Sequence, residues 1–240
     1  MPKVARPPPK TPPSKASVKQ APPTRGPAKP AKRRPSRDGY HHGSLREALI
    51  EASESLLAER GLEGFSLREV ARRSGVSPAA PAHHFGDADG LLTAVAINAF
   101  DGLTAALEAG NARGGADPVA RLREQGVSYV GFAMRYPGRF GLMFRAGHAD
   151  EDLRRSGDAA FKALEQGVRD LLGLPAGEPL EPAQWHALLA IWSVVHGFAN
   201  LALAGQFDWL ASGDRKALLR DTVAPMLEQQ LVALKAISAR

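Results

Sequence analysis

The residues with the chemistry to act as catalysts or metal ligands are few and poorly grouped. Seven histidines stand at His41, His42, His83, His84, His148, His186 and His196, and there is no cysteine. Adjacent His83 and His84 point in different directions around a helix, which makes a poor metal pair. His148 comes close to Asp150 and Glu151, but in a loop without a recognisable nucleophile or metal spacing. No glycine loop of the phosphate-cradling kind is present. These features argue against an enzyme and imply neither a metal nor a cofactor. A different chemistry suits residues 77–84, Ser-Pro-Ala-Ala-Pro-Ala-His-His. Small side chains at Ala79 and Ala80 let a backbone approach base edges closely. The free N–H groups of a helix start at Ser77 suit a phosphate, and His83 and His84 carry donors for phosphates or bases.

Such residues act only if something holds them, and the surrounding pattern is helical throughout. Leu45, Leu49, Ala52 and Leu56 recur at steps of four, three and four, the signature of one helix face. Ser44 with Glu47 and Ser66 with Glu69 have capping-box spacing, and Phe65 and Val70 sit at staple positions around the second box. Gly61 and Gly75 are placed to end the two helices, each followed by an apolar residue. Ser77 is placed to cap a third helix with Pro78 in its first position. Two helices joined by a tight glycine turn form a helix-turn-helix over about 66–85. Longer helices are expected near 89–109, 118–136, 137–144, 150–172, 182–204 and 214–238, with Pro225 kinking or splitting the last one.

Charge divides the chain sharply. Residues 1–38 carry eleven Lys and Arg against one acid, a net of +10, while the other 202 residues carry a net of −4. The same 38 residues hold eleven of the nineteen prolines and no aromatic side chain. A segment of that kind cannot bury enough surface to offset the entropy of ordering, so a disordered basic tail is expected. It reads either as a solubilising tail or as an arm for an anionic partner, nucleic acid or an anionic membrane surface. No apolar leader is seen at the start, and the missing cysteines fit an intracellular, cytoplasmic protein. Residues 187–205 lack formal charge and approach membrane-spanning length, but they include Ser193, His196 and Asn200. A buried helix of a soluble core is the better reading, and no membrane partner is expected.

Several motifs occur together in order: Gly39-Tyr40-His41-His42-Gly43, Leu45-Arg46, Ala48-Leu49-Ile50, Phe65 through Ala71, Gly75-Val76-Ser77 and His84-Phe85-Gly86-Asp87. Together, over about 39–105, they resemble the DNA-binding domain of the tetracycline-repressor (TetR) family. The resemblance implies an all-α protein with a three-helix DNA-binding domain over 39–103 and a helical regulatory and dimerisation domain over 104–240. It implies a homodimer on a double-stranded DNA operator, repressing transcription until a small apolar effector binds, and so associated with the bacterial nucleoid through DNA. The DNA contacts it implies are Tyr40, His41, Ser66, Arg68, Ser77, Pro78, Ala79, Ala80, Ala82, His83 and His84. Three positions depart from the family pattern. Ala82 replaces a tyrosine that touches a phosphate, Ala88 replaces a lysine, and Pro81 stands where leucine is commoner. Pro81 leaves the Ser77 carbonyl without its usual intrahelical donor.

Within 39–93 the charge balance is −3, which is poor for holding DNA. The expectation is that the arm, especially Lys32, Arg33, Arg34 and Arg37, supplies the phosphate contacts the domain lacks. In the C-terminal half, Trp192-Ser-Val-Val-His196-Gly197 resembles the Trp-His-Gly signature of one family subgroup. Two readings stay open: a core aromatic, a hydrogen-bonded core histidine and a close helix contact, or Trp192 and His196 facing a ligand cavity. Met134, Phe140, Met143, Phe144, Phe161 and Trp185 complete the candidate pocket. A competing class is a sequence-tolerant DNA-coating or membrane-surface protein driven by the tail alone.

Overall fold

Helix caps written into the sequence set most of the architecture. Asp87 accepts a hydrogen bond from the Gly90 N–H at 2.8 Å and starts a long helix, and Asp117, Asp150 and Asp214 cap later helices in the same way. Glu181 and Gln184 form a reciprocal capping box. The computed structural model describes residues 42–145, 150–211 and 214–238. Tyr40, His41, the basic arm of residues 1–38 and His148 therefore lie outside the described residues. The chain forms α1 (His42–Arg60), α2 (Leu67–Arg73), α3 (Ala80–Phe85), α4 (Ala88–Arg113), α5 (Pro118–Arg135) and α6 (Pro137–Met143). There follow α7 (Glu151–Leu172), α8 (Pro182–Leu203), α9 (Asp208–Ala211), α10 (Arg215–Leu218) and α11 (Ala224–Ser238). No strand occurs among the described residues.

Three apolar clusters hold these helices. The first joins Leu49, Ile50, Leu56 and Leu57 of α1 to Val70 of α2, Leu91 and Val95 of α4, and Leu142 of α6. Leu45, Ala52 and Phe65 pack against it, as the helix-face and staple spacings predict. The second joins Leu103 and Leu107 of α4 to Tyr129 and Val130 of α5, Phe140 of α6, Val195 of α8 and Leu227 of α11. The third joins Leu122 of α5 to Val168 of α7, Leu188 of α8 and Leu231 of α11. α4 serves both of the first two clusters and runs unbroken through residues 103 and 104, and the described residues form one compact unit.

Four local expectations change. α1 begins at His42, so Ser44 lies inside the helix rather than at its cap. Ser66 caps α2 by position, but its side chain makes no cap bond, and the Glu69 carboxylate, which would have completed the box, meets Arg72 and Arg73 at 2.7 and 3.1 Å. α3 starts at Ala80 instead of following directly on Ser77. At Pro225 the last helix splits, one of the two outcomes expected there. The proline has no N–H to give Asp221, and the chain ahead of it widens into a π-helical turn over Leu219–Val223. α8 is also less enclosed than a core helix. It buries Leu188, Val195 and Phe198, while Trp185, Leu189, Leu201 and Leu203 stay exposed. By length and composition α4 and α8 could each cross a membrane, yet both send apolar residues into the shared clusters.

Candidate nucleic-acid interface and apolar cavity

The turn between α2 and α3 is closed by backbone alone. Gly75 has φ of +67°, a conformation costly for other residues, and the Val76 N–H reaches the Ala71 carbonyl at 3.0 Å. α2 is tied to α1 by charge. Arg73 pairs with Glu59 at 2.6 Å and with Glu69, and the two arginines hold the Glu69 carboxyl down to about 2. Val70 and Ala71 are buried, and so is Pro81 of α3, which turns its ring inward. The Arg46 guanidinium lies 5.3 Å over the Phe85 ring and clasps the end of α3 to α1.

Because Pro81 faces the core, the opposite side of α3 faces out. Ser77, Pro78, Ala79, Ala82 and His83 are exposed, and Ala80 and His84 are half-buried. Ser66 and Arg68 are exposed at the start of α2. These nine predicted contact residues are all in the α2–turn–α3 unit, while Tyr40 and His41 lie outside the described residues. Pro81 also moves the helix start. With no N–H at 81, the Ser77 carbonyl takes the Ala80 N–H at 3.0 Å in a tighter turn, and the His83 N–H then bonds the Ala79 carbonyl. Residues 77–79 thus form a turn ahead of α3 rather than its first helical turn.

A second feature is an apolar cavity of about 270 Å³ enclosed by α4, α5, α7, α8 and α11, with the end of α6 on its wall. Four of the eight predicted pocket residues line it: Met143, Phe144, Phe161 and Trp192. The other four do not, and each has a reason. Phe140 is spent filling the core edge-on to Tyr129 at 5.6 Å, and Met134 is buried at the end of α5, where its carbonyl accepts from Arg215. Trp185 stacks on Phe161 from outside and is 39% exposed. His196 shares a 2.8 Å hydrogen bond with the Tyr129 hydroxyl and packs on Phe144 at 4.6 Å, where it lines a separate depression. Burial pushes the Tyr129 phenol up and the His196 imidazole down, so both stay neutral near pH 7. Gly197 has open space where a Cβ would stand, so the close helix contact expected there is not made within this chain.

Sequence reasoning missed Gln125 and Tyr129 on the cavity wall. A signal existed: Gln125 falls three residues after Leu122 and four before Tyr129, a lone amide on an otherwise apolar helix face. It also missed how α6 joins the cavity to α1. Met143 and Phe144 touch the cavity, while Arg139 pairs with Glu54 and Gly138 lies so near α1 that a Cβ there would stand 2.9 Å from the Leu57 backbone. Among the described residues no group of three acidic or imidazole side chains could hold a metal.

The α2–turn–α3 unit, with its exposed second helix, defines a helix-turn-helix. Comparison with known proteins places it further. Residues 49–95 match the model of the bacterial regulatory proteins of the tetR family, and residues 122–226 match the tetracyclin repressor-like C-terminal domain. A solved protein of unknown function from Rhodococcus sp. RHA1 is 30% identical, with a TM-score of 0.65, covering 83% of this chain and 97% of that one. The TetR family regulator PfmR from Thermus thermophilus shares the fold at 19% identity, with a TM-score of 0.53 and coverage of 78% and 97%. The HTH-type transcriptional regulator BetI of Burkholderia thailandensis is 40% identical over 78 residues, 32% of this chain. That match spans 40% of the relative's length. The chain belongs to the TetR family. It is a family of regulators rather than of enzymes. The C-terminal model does not specify the Trp-His-Gly subgroup.

Proposed function

We propose that this chain is a homodimeric, sequence-specific DNA-binding transcriptional regulator, a repressor that leaves its operator when a small apolar effector fills the cavity. The observation that carries the reading is the outward face of the α2–turn–α3 unit. Ser77, Pro78, Ala79, Ala82 and His83 project from an element whose other side is locked by Pro81, Val70 and the Arg46–Phe85 contact. A reading helix enters the major groove with its outer face free, and one held rigidly on its inner side can do so in a fixed orientation. Ser66 and Arg68 are positioned to contact backbone phosphates beside it, with Tyr40 and His41 joining from the segment ahead of α1.

Residues 39–103 act as the DNA-binding part and 104–240 as the regulatory part, and α4 and α6 carry the signal between them. A ligand against Met143 and Phe144 shifts α6, and Gly138 and Arg139 pass that shift to α1 through the Leu57 backbone and Glu54. The exposed stripe of α8, which includes Leu189, Ser193, Gly197 and Leu201, together with Val232 of α11, forms the two-fold interface. The open space at Gly197 is where the partner's helix comes closest. The basic arm adds phosphate contacts that offset the alanines at 82 and 88, and it keeps the protein at the nucleoid through DNA.

The test is fluorescence anisotropy of the full chain on labelled DNA from its own promoter region and on random DNA, over a salt series. The reading expects promoter DNA to be preferred by about a thousandfold or more. Equal affinity for both would leave a sequence-tolerant coating protein driven by the arm.

A further inference from the structure

One residue of the cavity lining, Gln125, carries a polar atom that the protein itself does not satisfy. Gln125 is 2% exposed, and its Nε2 donates to the Ala163 carbonyl at 2.8 Å. That bond fixes the amide orientation, because the opposite one would set Oε1 against the carbonyl oxygen. The Gln125 Oε1 is then buried with no hydrogen-bond partner. Buried acceptors are costly to leave unpaired, and natural proteins hold few of them without a use. Room is kept for this oxygen: a Cβ at Gly167 would stand 2.6 Å from it. The other polar groups on the wall are committed. The Tyr129 hydroxyl is bound to His196, and Arg154 is paired with Glu151 at 2.7 Å and with Asp158 at 3.5 Å at the exposed rim.

The remaining wall is aliphatic and aromatic, with Leu103, Phe161, Leu164, Ile191 and Trp192. It offers a charged ligand no unpaired counter-charge, so an ion would be desolvated without compensation. An apolar cavity of about 150 Å³ takes up benzene, so the volume here seats about eleven non-hydrogen atoms. We propose that the effector is an uncharged, largely apolar molecule of that size carrying one hydroxyl or N–H group, which donates a hydrogen bond to Gln125 Oε1. The Leu122 methyl beside Gly167 yields to admit it. This inference rests on the effector role assigned to the cavity above.

Calorimetric titration of the full-length protein with three probes tests it: 2-naphthol, its methyl ether 2-methoxynaphthalene, and 2-naphthoate. The expected order is naphthol about tenfold tighter than the ether, with naphthoate weakest. In Gln125→Leu the naphthol and the ether should come within about twofold of each other. The proposal is overturned if the ether equals naphthol in the unmodified protein, or if naphthoate binds tightest. It is overturned equally if no probe binds up to about 1 mM or if the preference survives in Gln125→Leu. Should that variant not fold, the three probes on the unmodified protein decide alone. Titrating the same samples with promoter DNA separates the two readings. Specific DNA binding without a naphthol preference sinks this inference only, whereas the preference without specific DNA binding sinks the regulator reading only.

Discussion

Glu69 illustrates how a single residue changes its role between sequence and fold. Its spacing from Ser66 fits a capping box, but its carboxylate pairs with the Arg72 and Arg73 guanidiniums within one turn instead of reaching back to the Ser66 N–H. Held down to about 2, the Glu69 carboxyl favours the folded state above its ordinary value of 4.5, and that contribution drains away as pH falls from 4.5 toward 2. Glu69→Gln should therefore flatten the pH dependence of stability in that window, read by urea unfolding at several pH values. Curves that stay parallel would contradict the assignment. The two departures at 82 and 88 separate by charge. Ala88→Lys should steepen the log–log salt dependence of DNA binding by about 0.9, because a lysine releases a counterion. Ala82→Tyr should tighten binding to promoter and random DNA alike with the slope unchanged, since a phenol carries no charge. Both are read by anisotropy over a salt series.

At the scale of elements, the helices with strong caps and regular apolar spacing are legible in the amino-acid sequence itself. The starts of α5 and α8 and the glycine stops after α1 and α2 fall where Asp117, Pro182, Gly61 and Gly75 put them. What could not be read depended on partners distant in sequence or on a missing donor whose consequence is geometric. The delayed start of α3 and the π-helical turn before Pro225 both come from prolines, yet only the fold decides whether the chain kinks, tightens or widens around them. The cavity was half legible for a similar reason. Aromatic and Met residues at helical spacing fill cores as readily as they line pockets, and only packing separates Phe161 from Phe140. Gly75→Ala tests the turn. With φ at +67° a side chain there should cost about 1 kcal/mol, lowering the urea midpoint with the slope unchanged. No change would mean that the turn relaxes to another conformation.

For the whole molecule, the proposed function has two reading elements act together, which makes oligomeric state and DNA affinity one question. Leu201 is 49% exposed on the outward stripe of α8. Leu201→Asp should shift the protein from dimer to monomer in sedimentation velocity and weaken operator binding by about a hundredfold or more through lost bivalency. A variant that stays dimeric would move the interface elsewhere. Removing residues 1–37 should weaken binding and lower the salt slope by about 0.9 for each phosphate that the arm no longer neutralises. An unchanged slope would make the arm a passive tail. On the proposed function, two α2–turn–α3 units related by a two-fold axis read one operator. Hydroxyl-radical footprinting of the full-length protein on its promoter region is the decisive experiment. Two symmetric protected half-sites are expected, with centres about one helical turn apart or a multiple of it. Protection spread evenly along the duplex, or a single unpaired half-site, would contradict that arrangement.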